Sequence, residues 1–124
     1  MSDYTQAESI DQLLSSLRQR NPDIAGALII TSEGFAVASD LAQGMDEEAL
    51  AAVCADLLLH AHRSVKEVGG TAAGELYVRS DTGYVLAFGI SEEAVFMTLA
   101  SSNVSLGLLV LECRRAAKAA AALL

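Results

Sequence analysis

Residues 24–39 read IAGALIITSEGFAVAS, and this stretch decides the fold. Two apolar, β-prone runs, residues 24–31 and 35–39, flank Ser32, Glu33 and Gly34. Gly34 can take a positive φ without steric cost, so the stretch predicts a β-hairpin. Ala27, Leu28, Ile29 and Ile30 are apolar at every position, the pattern of a central strand buried on both faces. Such a strand needs helices on both sides of its sheet, which predicts a layered α/β domain.

Upstream of the hairpin, residues 1–7 are polar and read as a flexible tail, with a single domain over 8–124. Ser9 with Gln12 reads as a capping box, and Thr5 with Glu8 offers the same pattern earlier. Ile10, Leu13, Leu14 and Leu17 recur at helical spacing, and Asn21-Pro22 stops the helix.

Downstream, residues 40–45 read as a loop and a long helix follows. Asp46 is its expected N-cap, Glu47 and Glu48 suit its positive end, and Gly69-Gly70 closes it. One apolar stripe holds Leu50, Val53, Leu57, Ala61 and Val68, with Cys54 and Val65 beside it. A second holds Ala51, Ala55, Leu58 and His62. A helix lying on one sheet needs only one stripe. The alanine-rich second stripe therefore reads as a seam for another helix, either a symmetry mate or an intramolecular one. Charge is confined to a narrower strip: Asp56, His60, Arg63 and Glu67, with Lys66 to one side.

Residues 74–80 alternate, with Leu76 and Val78 on one face and Tyr77 and Arg79 on the other, as in a half-exposed or edge strand. Short turns link them to strands at residues 84–90 and 94–100, which predicts antiparallel neighbours. A last helix starts near residues 102–105, and its Gly107 predicts close packing against a strand.

The net charge of −8, from 16 acidic and 8 basic side chains, opposes binding to nucleic acid or an anionic membrane surface. No apolar run is long enough to span a membrane, and the N-terminus does not resemble a signal peptide, so a cytoplasmic location is expected. A hydrophobic content of 52% and a mean hydropathy of +0.38 exceed what one small protomer readily buries, which predicts an oligomer. Cys54 and Cys113 sit among apolar neighbours and read as buried free thiols.

Catalytic signals are lacking. His60 and His62, two apart on a helix, point roughly 200° from each other and cannot share a metal ion. No G-x-S-x-G elbow accompanies them, and no phosphate-binding glycine loop precedes a helix. The expectation is a protein without its own active site, metal, cofactor or small-molecule substrate. The charged strip reads either as a solvated face or as a partner-binding surface, one that a dimer would present twice.

The hairpin GALIITSEGFAVAS, the element order and the ending SSNVSLGLLVLECRRAA, with Asn103 and Gly107, together resemble the Roadblock / dynein-light-chain-seven family. The resemblance spans residues 8–124. It implies an α+β, layered α/β/α fold of profilin-like type, ordered helix-strand-strand-helix-strand-strand-strand-helix, around a five-stranded antiparallel sheet. The first and last helices would lie on one face and the middle helix on the other. It also implies homodimers that pair the third strand edge to edge and set the middle helices together. Members resembling MglB regulate small Ras-like GTPases, which dock across those paired helices and supply the catalytic machinery. Because the chain stops with the last helix, binding is expected more than activation.

On this reading Asp56, His60, Arg63 and Glu67 contact the GTPase, and Ala51, Ala55, Leu58, His62, Leu76, Tyr77, Val78 and Arg79 form the dimer interface. The alternative is a scaffold subunit that pairs with Roadblock-like chains or with motor or kinase components, indifferent to nucleotide. A small-molecule sensor is a third reading, unsupported by any polar cluster.

Overall fold

Buried alternation along the apolar runs builds the sheet. The computed structural model describes residues 6–70 and 74–124. In chain order they form α1 (Gln6–Arg20), β1 (Ile24–Thr31), β2 (Ala36–Leu41), α2 (Glu47–Glu67), β3 (Glu75–Arg79), β4 (Gly83–Gly89), β5 (Ala94–Ser101) and α3 (Leu106–Leu123). The five strands make one antiparallel sheet in the order β2-β1-β5-β4-β3. β1 lies inside it, with Leu28 opposite Ser39 of β2 and Met97 of β5. Ala27, Leu28, Ile29 and Ile30 are fully buried, as a strand covered on both faces must be.

Successive strand residues feed two separate cores. On one face Ala27, Ile29, Leu86, Phe88 and Phe96 meet Ile10, Leu14 and Leu17 of α1 and Leu109, Cys113 and Ala117 of α3. On the other, Leu28, Ile30, Ala87, Val95 and Met97 meet Ala51, Cys54 and Leu58 of α2. This is the three-layer α+β architecture expected, with its profilin-like helix arrangement.

Several local readings need correction. Ser9 is no N-cap, because α1 already runs from Gln6; the alternative cap at Thr5 lies outside the described residues. Residues 40 and 41 are strand rather than loop. Asp40 is held there by an ion pair of 2.8 Å with Arg18, whose Nε also donates to the Ile24 carbonyl at 3.2 Å. Gly107 faces open space, with nothing within 4 Å of where a Cβ would stand, so it does not admit a strand.

Candidate protein-interaction surfaces

α2 carries the residues singled out for partner binding, and its ends are fixed as its sequence requires. The Asp46 carboxylate accepts from the Ala49 amide at 3.2 Å, and Gly69 turns the chain away at φ +91°. Asp56, His60, Arg63 and Glu67 are all exposed. At 1.5 Å rise per residue they extend over about 16 Å of helix. None of the ion pairs formed among the described residues engages them. The two histidines diverge as their spacing demands: His60 is exposed, while His62 is half-buried.

The two apolar stripes of α2 share the core instead of dividing as expected: Leu50 of the first stripe and Cys54 beside it pack there, and so do Ala51, Ala55 and Leu58 of the second. Ala51 and Leu58 are buried in the protomer's own core, and Ala55 packs against the same cluster, so Ala51 and Leu58 offer no surface to a second helix. The reason is the hairpin turn. Gly34, at φ +98°, approaches α2 so closely that a Cβ there would stand 3.3 Å from the Ala55 Cβ and 3.5 Å from the Ala52 Cα. Only small residues on α2 permit that approach. His62 and Leu59 line a cleft of about 550 Å³ between the C-terminal half of α2 and the β4–β5 turn, with Lys66 and Glu92 at its margin. The stripe read as sheet-facing stays partly in solvent instead: Val53 is 57% exposed and Val68 85%.

The α2 layer covers the sheet unevenly. α2 packs on β1 and β2. Towards β3 the same face leaves Leu76, Val85 and Leu99 half-buried and Val78 and Met45 exposed, around a cleft of about 380 Å³. β3 is itself an open edge. Tyr77 points to the opposite face, its ring 6.0 Å from that of Phe88, and Arg79 is exposed.

A polar clasp that the sequence reading missed locks this edge strand to α3. Arg114 donates to both oxygens of Glu75, at 2.8 and 2.9 Å. The Tyr77 hydroxyl donates to Glu75 and accepts from Arg114 at 3.3 Å. The Arg114 hydrogen bonds, with that of Tyr77, hold the Glu75 carboxyl at about 2. Burial, then the adjacent Glu75, pushes the Tyr77 hydroxyl up. Strand alternation places Glu75 and Tyr77 on one face, but nothing local names an arginine 39 residues away as their partner.

Cys54 and Cys113 are free, lie in the two different cores, and have thiols pushed up to about 11 by burial. Cys113 shares a hydrogen bond of 3.3 Å with Thr98, the one buried polar side chain among the described residues. Among those residues no cluster of His, Cys, Asp and Glu could hold a metal ion, and no helix is long and apolar enough to cross a membrane.

Comparison with known proteins places this geometry. An uncharacterized protein of Methanocaldococcus jannaschii is 26% identical over 108 residues, 87% of this chain and 90% of that protein. A solved structure described as MglB with tetrameric arrangement superposes with a TM-score of 0.87 at 20% identity, covering 99% of this chain and 93% of the other. The gliding protein MglB from Thermus thermophilus matches at 0.87 and 19% identity, with the same coverage. These likenesses establish the shared fold. The Roadblock/LC7 domain model matches residues 10–106, from Ile10 in α1 to the first residue of α3, and the chain belongs to that family.

Proposed function

We propose that this protein is a homodimeric regulatory module that binds a small Ras-like GTPase across paired α2 helices. The observation that carries the reading is the uneven cover of the sheet. An apolar strip of half-buried Leu76 and Val85 with exposed Val78 lies beside an open edge strand, on the sheet face that α2 packs on, and α2 itself leaves Val53 and its charged strip exposed. Pairing β3 with β3 of a second copy would extend the sheet and bring the two α2 helices together over that strip. The interface would then use Leu76, Tyr77, Val78 and Arg79 together with the Val53 and Leu57 flank of α2, rather than Ala51 and Leu58. Asp56, His60, Arg63 and Glu67 of both protomers would stand side by side on one broad surface. The GTPase as partner rests on family membership and on the likeness to MglB, and the role is that of a regulator with no active site of its own.

The test is capture by the immobilised protein from lysate of its source, with GDP and with a non-hydrolysable GTP analogue. A small GTPase retained preferentially with the analogue is the expected result, and Arg63→Glu should abolish that preference while leaving the dimer mass by light scattering unchanged. Identical capture in both nucleotides would overturn the reading in favour of a nucleotide-indifferent scaffold.

A further inference from the structure

The two edges of the sheet are built differently. Along β2 the register breaks opposite Ile29 and Ile30, which leaves Val37 as an unpaired bulge and spoils that edge as a template. β3 pairs with β4 without a break, from Glu75 opposite Phe88 to Arg79 opposite Tyr84, and no strand among the described residues pairs with its far side. Its hydrogen bonds have a fixed parity. The Gly89 amide donates to the Gly74 carbonyl at 2.9 Å and the Ser80 amide to the Gly83 carbonyl at 2.8 Å, so the even-numbered residues here bond to β4. The amides and carbonyls of Glu75, Tyr77 and Arg79 therefore point towards the open edge.

We infer that a second copy pairs with β3 about a two-fold axis at Tyr77, and that Glu75 of each copy, facing Arg79 of the other, selects this register. The inference rests on the dimer proposed above and names what makes its pairing selective for a second copy. An axis normal to the sheet makes the two strands antiparallel and keeps both α2 helices on one face. Because the odd-numbered residues bond outward, odd must meet odd, so the axis passes through a residue and never between two. At Tyr77, three facing pairs each exchange two hydrogen bonds: Glu75 with Arg79, Tyr77 with itself, and Arg79 with Glu75. An axis at Leu76 or Val78 keeps only two such pairs within β3.

Charge decides the same way. Centred on Val78, Glu75 would meet Asp81 of the second copy, and centred on Leu76, Arg79 would run past the end of the second β3. Centred on Tyr77, opposite charges face each other at both ends, because the strand ELYVR is acidic at its start and basic at its end. Arg79 is exposed and enters none of the ion pairs formed among the described residues. The Glu75 carboxylate already accepts from Arg114 at 2.8 and 2.9 Å, and its remaining lone pairs can take a second guanidinium. A strand of unrelated sequence could match the hydrogen bonds of this edge, but not both charges.

The experiment is disulfide trapping in the full chain with one new cysteine on β3, each variant alone and the two mixed so that subunits exchange. With the axis at Tyr77, Leu76 stands opposite Val78 of the second copy in a non-hydrogen-bonded pair, about 4.5 Å between Cα atoms and within reach of a disulfide. Like positions lie diagonally, roughly 7–8 Å apart, too far for the bond. Leu76→Cys and Val78→Cys chains should therefore stay unlinked alone and form a disulfide-linked dimer when mixed under mild oxidation. Cys54 and Cys113 are buried and stay silent. Arg79→Glu should weaken the dimer about tenfold by sedimentation equilibrium, and Arg79→Lys should leave it near wild type. Cross-linking of either cysteine variant alone would overturn the register while the β3 dimer stood. A dimer by light scattering with no cross-link in the mixture or in either variant alone would overturn the register and the β3 pairing together. An Arg79→Glu dimer as tight as wild type would overturn the role given to charge.

Discussion

Gly34→Ala tests whether the alanine-rich stripe of α2 exists to receive the hairpin turn. Two costs act on it. The backbone sits at φ +98°, where an L side chain costs about 1–2 kcal/mol. The new Cβ would also press on the Ala55 Cβ at 3.3 Å, close enough that α2 must give by a few tenths of an ångström. Crowding of that kind adds about 1 kcal/mol, against which the stiffer unfolded chain returns roughly 0.5 kcal/mol. The expected loss is about 2 kcal/mol, a fall in Tm of roughly 6–10 °C for a domain of this size. Paired urea and thermal melts measure it. The double variant Gly34→Ala/Ala55→Gly isolates the packing part. Ala55→Gly alone costs about 1 kcal/mol of helix propensity, but it opens the space that the new methyl needs. A coupling of roughly 0.5 kcal/mol or more is therefore expected in the cycle. An unchanged Tm for Gly34→Ala would refute the turn geometry, and strict additivity would refute the contact with α2.

Leu58→Asp should unfold the protomer rather than split a dimer, because Leu58 is buried against the sheet and its loss alone is worth about 2–5 kcal/mol before any charge is buried; a folded, soluble monomer by circular dichroism and light scattering would contradict this. Glu75, held at about 2 by Arg114 against its ordinary 4.5, stabilises the fold fully above pH 4.5, and that contribution fades as pH falls towards 2. Wild type minus Arg114→Met in Tm should shrink across that window and shrink with salt, since the pair is exposed, and a difference flat with pH would rule the clasp out as a stabiliser. Cys54 and Cys113, with thiols near 11, should ignore a disulfide reagent at pH 8 until the protein is denatured, and prompt native-state labelling of either would contradict their burial.

What was legible in the sequence follows from what is local. The hairpin showed in Ile29, Ile30 and Gly34 because strand burial and turn chemistry act between near neighbours. The need for helices on both faces followed from a strand apolar at every position, whereas the placing of the first and last helices on one face and the middle helix on the other came from the family resemblance. The Glu75–Arg114 clasp was hidden because its members sit in β3 and α3, and each alone looks like a solvated charge. The charged strip on α2 is legible, but its exposure is a property that a solvated face and a docking face share. The misassigned stripes teach more. Residues 50, 53 and 57 and residues 51, 55 and 58 lie about 100° apart on the same helix, and both sets are apolar. Such a helix declares two neighbours without saying which flank takes which. The deciding fact was Gly34, whose turn must approach whatever covers it. A helix face that meets a glycine turn has to be lined by small residues, and Ala51, Ala52 and Ala55 are the ones that satisfy it. The bulkier Val53 and Leu57 are then left outside the core, exposed and half-buried respectively.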